Sequence, residues 1–334
     1  MKIAIVKLSS LGDVLHALPV AHALRRHFPQ AHLTWIVEAR ESAVLNGHPA
    51  LDAVEPVDTR LWRRLVWRPA GVPEVARKLG RLTERIRRAR FDVAIDLQGL
   101  MKSGLLTAFT GAPVRIGFAL RYCWEPLNVL FTNRRVAPPP AAVHVVDQCL
   151  SLLEPLGVKP AAPVWELPSN PEAERRIDEF LAEQGVKPHD RLVTLNPGAG
   201  HPEKRWPLAR FGRLAERLAV EAGARVLLVW GPDEETMARG IAAGMTSRPL
   251  LAPATTIPEL SALLRRASLM VAGDTGPLHL AAALGVPCVG LYGPTRALRN
   301  GPYGARCRGL QSPNGTLAAI TPDEVFGTAL ELLE

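Results

Sequence analysis

The chain alternates between short runs that are apolar at nearly every position and longer stretches with helical spacing. In the first half the runs are KIAIVKL (2–8), LTWIV (33–37) and DVAIDL (92–97). In the second half they are LVTLN (192–196), RVLLVW (225–230), LMVAG (269–273) and CVGLY (288–292). Continuous apolar, β-branched runs suit strands buried on both faces, and strands alternating with helices imply parallel sheets covered by helices. The pattern predicts an α/β protein of two Rossmann-like, doubly wound domains. A proline-rich region from Val136 to Pro171, with Pro138, Pro139, Pro140, Pro155, Pro160, Pro163 and Pro168, disfavours a continuous packed element. The expected boundary lies there, giving domains 1–165 and 166–334, with the helical stretch around Val143–Leu156 packed on the first. A ligand is expected in the cleft facing the carboxyl ends of both sheets.

Length and composition sharpen this picture in a few places. A chain of 334 residues fits two cores of ordinary size, and 47% hydrophobic with 22% charged residues is the balance of a folded globular protein. No stretch approaches the roughly 20 apolar residues that span a bilayer, so any membrane contact is peripheral. The opening MKIAIVKLSSLGD reads as a first strand, because Lys7 interrupts the apolar run and no small-residue cleavage site follows. Cys123, Cys149, Cys288 and Cys307 form no C-x-x-C pair, which suggests neither a zinc site nor a disulfide framework and fits a cytoplasmic protein.

The net charge of +8 is unevenly spread. Residues 1–165 carry 22 Lys and Arg against 13 Asp and Glu, whereas residues 166–334 carry 18 against 19. Such asymmetry suggests that the first half meets a polyanion and the second does not. Charge for solubility is the plain alternative for a basic segment taken alone.

Four strand-to-helix junctions carry candidate chemistry. After the first strand comes Ser9-Ser10-Leu11-Gly12-Asp13, where Gly12 lets backbone approach a ligand and a helix start aims amide groups outward. Ser10 and Asp13 also have the spacing of a capping box, so Asp13 reads equally as a cap or as a catalytic carboxylate. A second junction, Gly273-Asp274-Thr275-Gly276-Pro277-Leu278-His279, offers a Thr able to cap the helix, a Pro in its first turn and a dipole end suited to a diphosphate. A capped helix with a core His279 is the alternative. The third, Asn196-Pro197-Gly198-Ala199-Gly200 with Lys204 and Arg205, pairs a glycine loop with cations that could neutralise a leaving diphosphate. Either cation alone is more often solvated surface charge. The fourth, Trp230-Gly231-Pro232-Asp233-Glu234-Glu235, brings carboxylates able to accept ribose hydroxyls or to favour a helix start. A G-x-G-x-x-G fingerprint is absent, which weighs against a nicotinamide enzyme.

Together the four junctions resemble the lipopolysaccharide heptosyltransferases of glycosyltransferase family 9, which have the two-domain GT-B architecture. The resemblance runs from K-x-S-S-x-G-D-V-L-H-x-L-P at the start to D-T-G-x-x-H and Tyr292-Gly293-Pro294-Thr295. The opening motif is most similar to the heptosyltransferase I branch. This implies transfer of L-glycero-D-manno-heptose from ADP-heptose, a substrate rather than a cofactor, to the Kdo of Kdo2-lipid A by an inverting displacement. The resemblance makes Asp13 the catalytic base, with Ser10, Gly12, Lys204, Glu234, Asp274, Thr275, Gly276 and His279 on the donor side. Glu235 is the one-residue alternative to Glu234. Arg60, Trp62, Arg63, Arg64 and Arg121 become acceptor residues, although residues 122–127, YCWEPL, depart from the family's pattern. Eleven Lys and Arg against three acids between Val57 and Arg90, with Trp62 and Trp67 among them, suit a phosphorylated lipid headgroup.

The resemblance further implies an acceptor-binding first domain and a donor-binding second domain, with the last helix packing back on the first. The partners it implies are a nucleotide-sugar donor, an anionic lipid-linked sugar and the cytoplasmic face of the inner membrane, with no metal and no nucleic acid. A family member acting on another core sugar, such as the second heptose transferase, and a non-catalytic polyanion-binding protein are the rival readings. The phosphate-suited loop of the second half, together with Asp13, speaks against a simple binder.

Overall fold

The computed structural model describes residues 1–59, 72–159 and 161–334. The chain divides into two compact units, Met1–Pro168 and Ser169–Glu334. Among the described residues the first unit has six strands, β1 (Lys2–Val6), β2 (His32–Glu38), β3 (Ala53–Val57), β4 (Val93–Asp96), β5 (Val114–Phe118) and β6 (Arg134–Val136), in the order β3-β2-β1-β4-β5-β6. Its helices are α1 (Leu11–His27), α2 (Val72–Arg88), α3 (Met101–Phe109) and α4 (Val145–Ser151). All pairings are parallel, with Ile3 of β1 in register with Leu33 on one side and Val93 on the other. The chain winds outward from β1 in one direction and from β4 in the other, so the order reverses between these two strands. Loops at their carboxyl ends diverge there and leave room for a ligand.

The second unit repeats the design. Strands β7 (Leu192–Asn196), β8 (Arg225–Leu228), β9 (Leu250–Leu251), β10 (Leu269–Gly273), β11 (Cys288–Tyr292) and β12 (Cys307–Gln311) run β12-β11-β10-β7-β8-β9, again all parallel. The reversal falls between β7 and β10. Helices α5 (Pro171–Glu183), α6 (Leu208–Val220), α7 (Glu235–Ala243), α8 (Ile257–Arg265), α9 (Gly276–Ala283), α10 (Ala297–Asn300) and α11 (Pro322–Leu333) complete the unit. Local signals explain the starts: Asn170 accepts a hydrogen bond from the Ala173 amide at 3.0 Å, and Pro171 opens α5 with a residue that has no amide hydrogen to satisfy.

Each sheet is packed as its apolar runs require. Every residue of β7, β10 and β11 is buried. Helix α6 turns Phe211, Leu214, Ala215 and Leu218 inward at helical spacing, and Phe211 packs edge-on against Trp206. The last helix, α11, buries Val325, Phe326, Ala329 and Leu332 in the second unit's core beside α6, β10 and β11. Those four side chains form one apolar face, and the sheet it covers is the one it follows in the chain. Among the described residues no helix is long and apolar enough to cross a membrane.

Candidate active site

In the first unit the residues of interest gather at the carboxyl ends of β1 and β4. Ser10 sits at the N-cap of α1 and Asp13 in its first turn. Asp13 Oδ2 accepts from the Ser10 amide at 2.9 Å and from the Ser10 hydroxyl at 3.0 Å. Asp13 Oδ1 faces the Lys7 ammonium at 3.7 Å, with the Asp13 side chain 45% exposed and that of Lys7 only 5%. Lys7 Nζ donates in turn to the Leu97 carbonyl at 3.0 Å. Both Ser10 contacts thus fall on Oδ2, while Oδ1 faces Lys7. Gly12 is buried in the first turn of α1.

Gln98, just past β4, ties the two strand ends together. Its Oε1 accepts from the Leu8 amide and its Nε2 donates to the Ser9 carbonyl, each at 2.7 Å. Sequence reasoning gave no role to Lys7 or Gln98; a cation and an amide at the ends of two buried strands were the available signals. Arg121 lies in a short 3-10 turn after β5, exposed, with its guanidinium 4.9 Å from the centre of the Tyr122 ring. Arg60, Trp62, Arg63 and Arg64 lie outside the described residues. Glu38, buried at the end of β2, accepts from the Thr59 amide at 3.1 Å just before that segment.

In the second unit Lys204, Glu234, Asp274, Thr275, Gly276 and His279 meet at the ends of β7, β8 and β10. The Lys204 ammonium donates to Asp274 Oδ2 at 2.6 Å, and His279 Nε2 lies 3.0 Å from Asp274 Oδ1. Burial acts to raise the Asp274 carboxyl, but His279 and Lys204 outweigh it and hold the group well below the usual carboxylate range. Gly273 makes this approach possible, since a Cβ there would stand 2.5 Å from the Lys204 carbonyl oxygen. His279 is buried, yet its ring faces a carboxylate rather than a purely apolar core.

The Thr275 hydroxyl does not cap α9, although Thr275 holds the N-cap position. It donates to the Gly273 carbonyl at 3.2 Å and accepts from Asn196 Nδ2 at 3.3 Å, which joins the ends of β10 and β7. Asn196 Oδ1 is buried without a hydrogen-bond partner, an acceptor left over at the point where the strand order reverses. Arg205 braces the glycine loop through two bonds to the Ala199 carbonyl, at 3.0 and 2.8 Å. Glu234 accepts from the Gly231 amide at 3.0 Å and its carboxylate lies against Gly198. Glu235 instead pairs with Arg239 on the surface of α7. Of the two neighbours, Glu234 belongs to the strand-end cluster. Among the described residues no three His, Cys, Asp or Glu side chains converge as a metal site.

Two doubly wound units, the second with a half-buried Lys204–Asp274 pair where its strand order reverses, have the fold of the GT-B glycosyltransferases. Residues 79–326 match the model of glycosyltransferase family 9 (heptosyltransferase), and the chain belongs to that family of enzymes. It is 33% identical to lipopolysaccharide heptosyltransferase 1 of Pseudomonas aeruginosa, over 91% of this chain and 82% of that one. With the Salmonella typhimurium enzyme of the same name it shares 32% identity over 98% of this chain and 99% of the relative. The solved structure of Escherichia coli heptosyltransferase WaaC with ADP matches 99% of this chain and 100% of its own, at 28% identity and a TM-score of 0.82. The same enzyme with ADP-2-deoxy-2-fluoro heptose matches 99% of both chains, at 29% identity and a TM-score of 0.80.

Proposed function

We propose that the protein transfers L-glycero-D-manno-heptose from ADP-heptose to the Kdo of Kdo2-lipid A in lipopolysaccharide inner-core synthesis, with inversion at the anomeric carbon. The relatives named heptosyltransferase 1 support the acceptor, and the ADP and fluoroheptose complexes of WaaC support the donor. The observation that carries the reading is the Lys204–Asp274–His279 chain at the reversal point of the second sheet. A diphosphate drawn to the amides of Thr275 and Gly276 at the start of α9 would engage Lys204, whose charge offsets the negative charge that grows as ADP departs. Asp274 keeps its charge and retains lone pairs beyond those used by Lys204 and His279, so it can accept hydroxyls of the heptose. Glu234 accepts ribose hydroxyls.

Asp13 is the base of this reaction. With Oδ2 tied to Ser10, Oδ1 takes the proton of the acceptor hydroxyl as that oxygen attacks the anomeric carbon. The acceptor belongs to the first unit, with Arg60, Trp62, Arg63, Arg64 and Arg121 meeting its phosphates and carboxylates. The enzyme works in the cytoplasm as a peripheral protein of the inner membrane, and nucleic acid has no part in the scheme.

A transfer assay over a panel of ADP-, UDP- and GDP-linked sugars tests the reading, with the product's anomeric configuration read by nuclear magnetic resonance. The expected result is transfer from ADP-heptose with inversion. Retention of configuration, or a preference for another nucleotide, would contradict it.

A further inference from the structure

Among the described residues ten large apolar side chains are exposed, and four of them fall between residues 120 and 130 of the first unit. Leu120 is 58% exposed, Trp124 70%, Leu127 60% and Leu130 69%. Leu127 and Leu130 share a 3-10 helix over Pro126–Phe131, where residues three apart line up on one side. Leu105, on the helix α3 that packs against this segment, is exposed as well. Exposed apolar side chains gathered in one short segment in this way mark an interaction site.

The segment is held firmly from beneath. Asn128 is fully buried and donates to Asp96 Oδ2 and to the Leu100 carbonyl, both at 2.7 Å. The Glu125 amide donates to the Gly99 carbonyl at 3.1 Å, and Arg135 Nη2 donates to the Val129 carbonyl at 3.0 Å. A fixed backbone thus presents leucines and a tryptophan outward, with the exposed Arg121, Arg134 and Arg135 alongside and Glu125 as the one acid in the stretch 118–136. The patch also adjoins the loop that carries Asp13. Gly99, at φ +72°, lies so close that a Cβ there would be 3.3 Å from Cys123 Cα and 3.5 Å from the Trp124 nitrogen. Its neighbour Gln98 is bonded to Leu8 and Ser9.

We propose that Leu120, Trp124, Leu127 and Leu130, flanked by Arg121, Arg134 and Arg135, dock the first unit on an anionic lipid bilayer beside the acceptor site. The choice of a bilayer rests on the reading of a lipid-linked acceptor and on charge complementarity. Leucines enter the acyl boundary, tryptophan favours the headgroup level, and arginines meet anionic headgroups. A bilayer seated on this patch brings the sugar of a lipid-anchored acceptor to the end of the sheet where Asp13 stands.

Flotation of the full chain with phosphatidylcholine vesicles, with and without phosphatidylglycerol, tests the docking. Wild type is expected to float with the anionic vesicles. The variant Leu120→Ser, Trp124→Ser, Leu127→Ser, Leu130→Ser should lose about 100-fold or more of that partition, and should keep its rate on a soluble, delipidated acceptor. Arg134→Ser with Arg135→Ser should lose about tenfold or more on anionic vesicles only. Should the fourfold variant fold poorly, Trp124→Phe takes its place: quenching of wild-type fluorescence by brominated lipid should fall in that variant. Flotation of the fourfold variant like wild type, or loss of a dimer instead of vesicle binding, would overturn the docking while leaving transferase activity untouched. A wild type that floats but transfers no sugar would overturn the transferase reading and leave the docking standing.

Discussion

The two oxygens of Asp13 have different neighbours, Oδ2 holding both Ser10 donors and Oδ1 facing a buried ammonium at 3.7 Å, so one side chain can start a helix and still present a base. Asp274 is more heavily committed, since Lys204 and His279 each take one of its oxygens. Its carboxyl is shifted below the usual range, so the ionised form is favoured by the fold. Stability from that charge is complete above the unfolded value of about 3.9 and is lost as pH falls toward the lower folded value. Lys204→Met removes one source of the shift. Its stability deficit against wild type, read from urea midpoints, should be constant above about pH 5 and shrink as the solution becomes more acid than about pH 4. The same variant should bind ADP about 10- to 100-fold more weakly by calorimetry, as the diphosphate loses a charge-assisted partner. Unchanged ADP affinity would remove Lys204 from the donor site.

Elements matter here through the close approach of strand ends. Gly273→Ala would set a Cβ against the Lys204 carbonyl, a backbone group that cannot swing away, at a cost of roughly 1–3 kcal/mol. The variant should weaken ADP binding while leaving Lys204 itself intact, and a crystal structure should find the Lys204–Asp274 distance lengthened; an unaltered pair would contradict this. Phe326→Ala tests how firmly the last helix packs in the second unit. Phe326 is buried in the second unit and carries the Arg217 guanidinium 3.9 Å from its ring centre, so truncation should cost about 3–5 kcal/mol in denaturant unfolding. A loss below about 1 kcal/mol would argue that α11 is only loosely docked.

The same scale explains what was legible beforehand. The strands β1, β2, β4, β7, β8, β10 and β11 stood out because strands packed from both faces are apolar at nearly every position. The outer strands β6 and β12 did not, because RRV and CRGLQ are half exposed and carry polar residues. Strand β9 has only two residues. The junction residues were readable as types at the ends of buried strands, but their partners were not. Lys7 looked like an interruption in a strand, and Arg205 like surface charge, until the fold brought Asp13 and the Ala199 carbonyl to them. Contacts that cross an irregular loop, whether over six residues as here or over seventy as between Lys204 and Asp274, leave no mark in the periodicity.

At the scale of the whole molecule the excess positive charge lies in residues 1–165. If the basic segment grips the acceptor, changing Arg60, Arg63 and Arg64 together to Ala should raise the acceptor's apparent KM on the order of 100-fold at low salt, and less when screened. Donor KM should hold. Measuring both at two salt concentrations separates an acceptor site from charge carried for solubility, for which neither constant would change.

The central claim is that Asp13 acts as base in heptose transfer from ADP-heptose to a Kdo-bearing lipid acceptor. The most direct measurement compares wild type with Asp13→Asn at saturating substrates, following the mass of one added heptose and, in parallel, ADP affinity by calorimetry. Asparagine preserves the size of the side chain and an oxygen for Ser10, but not the charge that accepts a proton. The account predicts that wild type adds a single heptose, whereas the variant is slower by roughly 10²–10⁴ and binds ADP as wild type does. Equal turnover by the two proteins, or no heptose added by wild type, would contradict it.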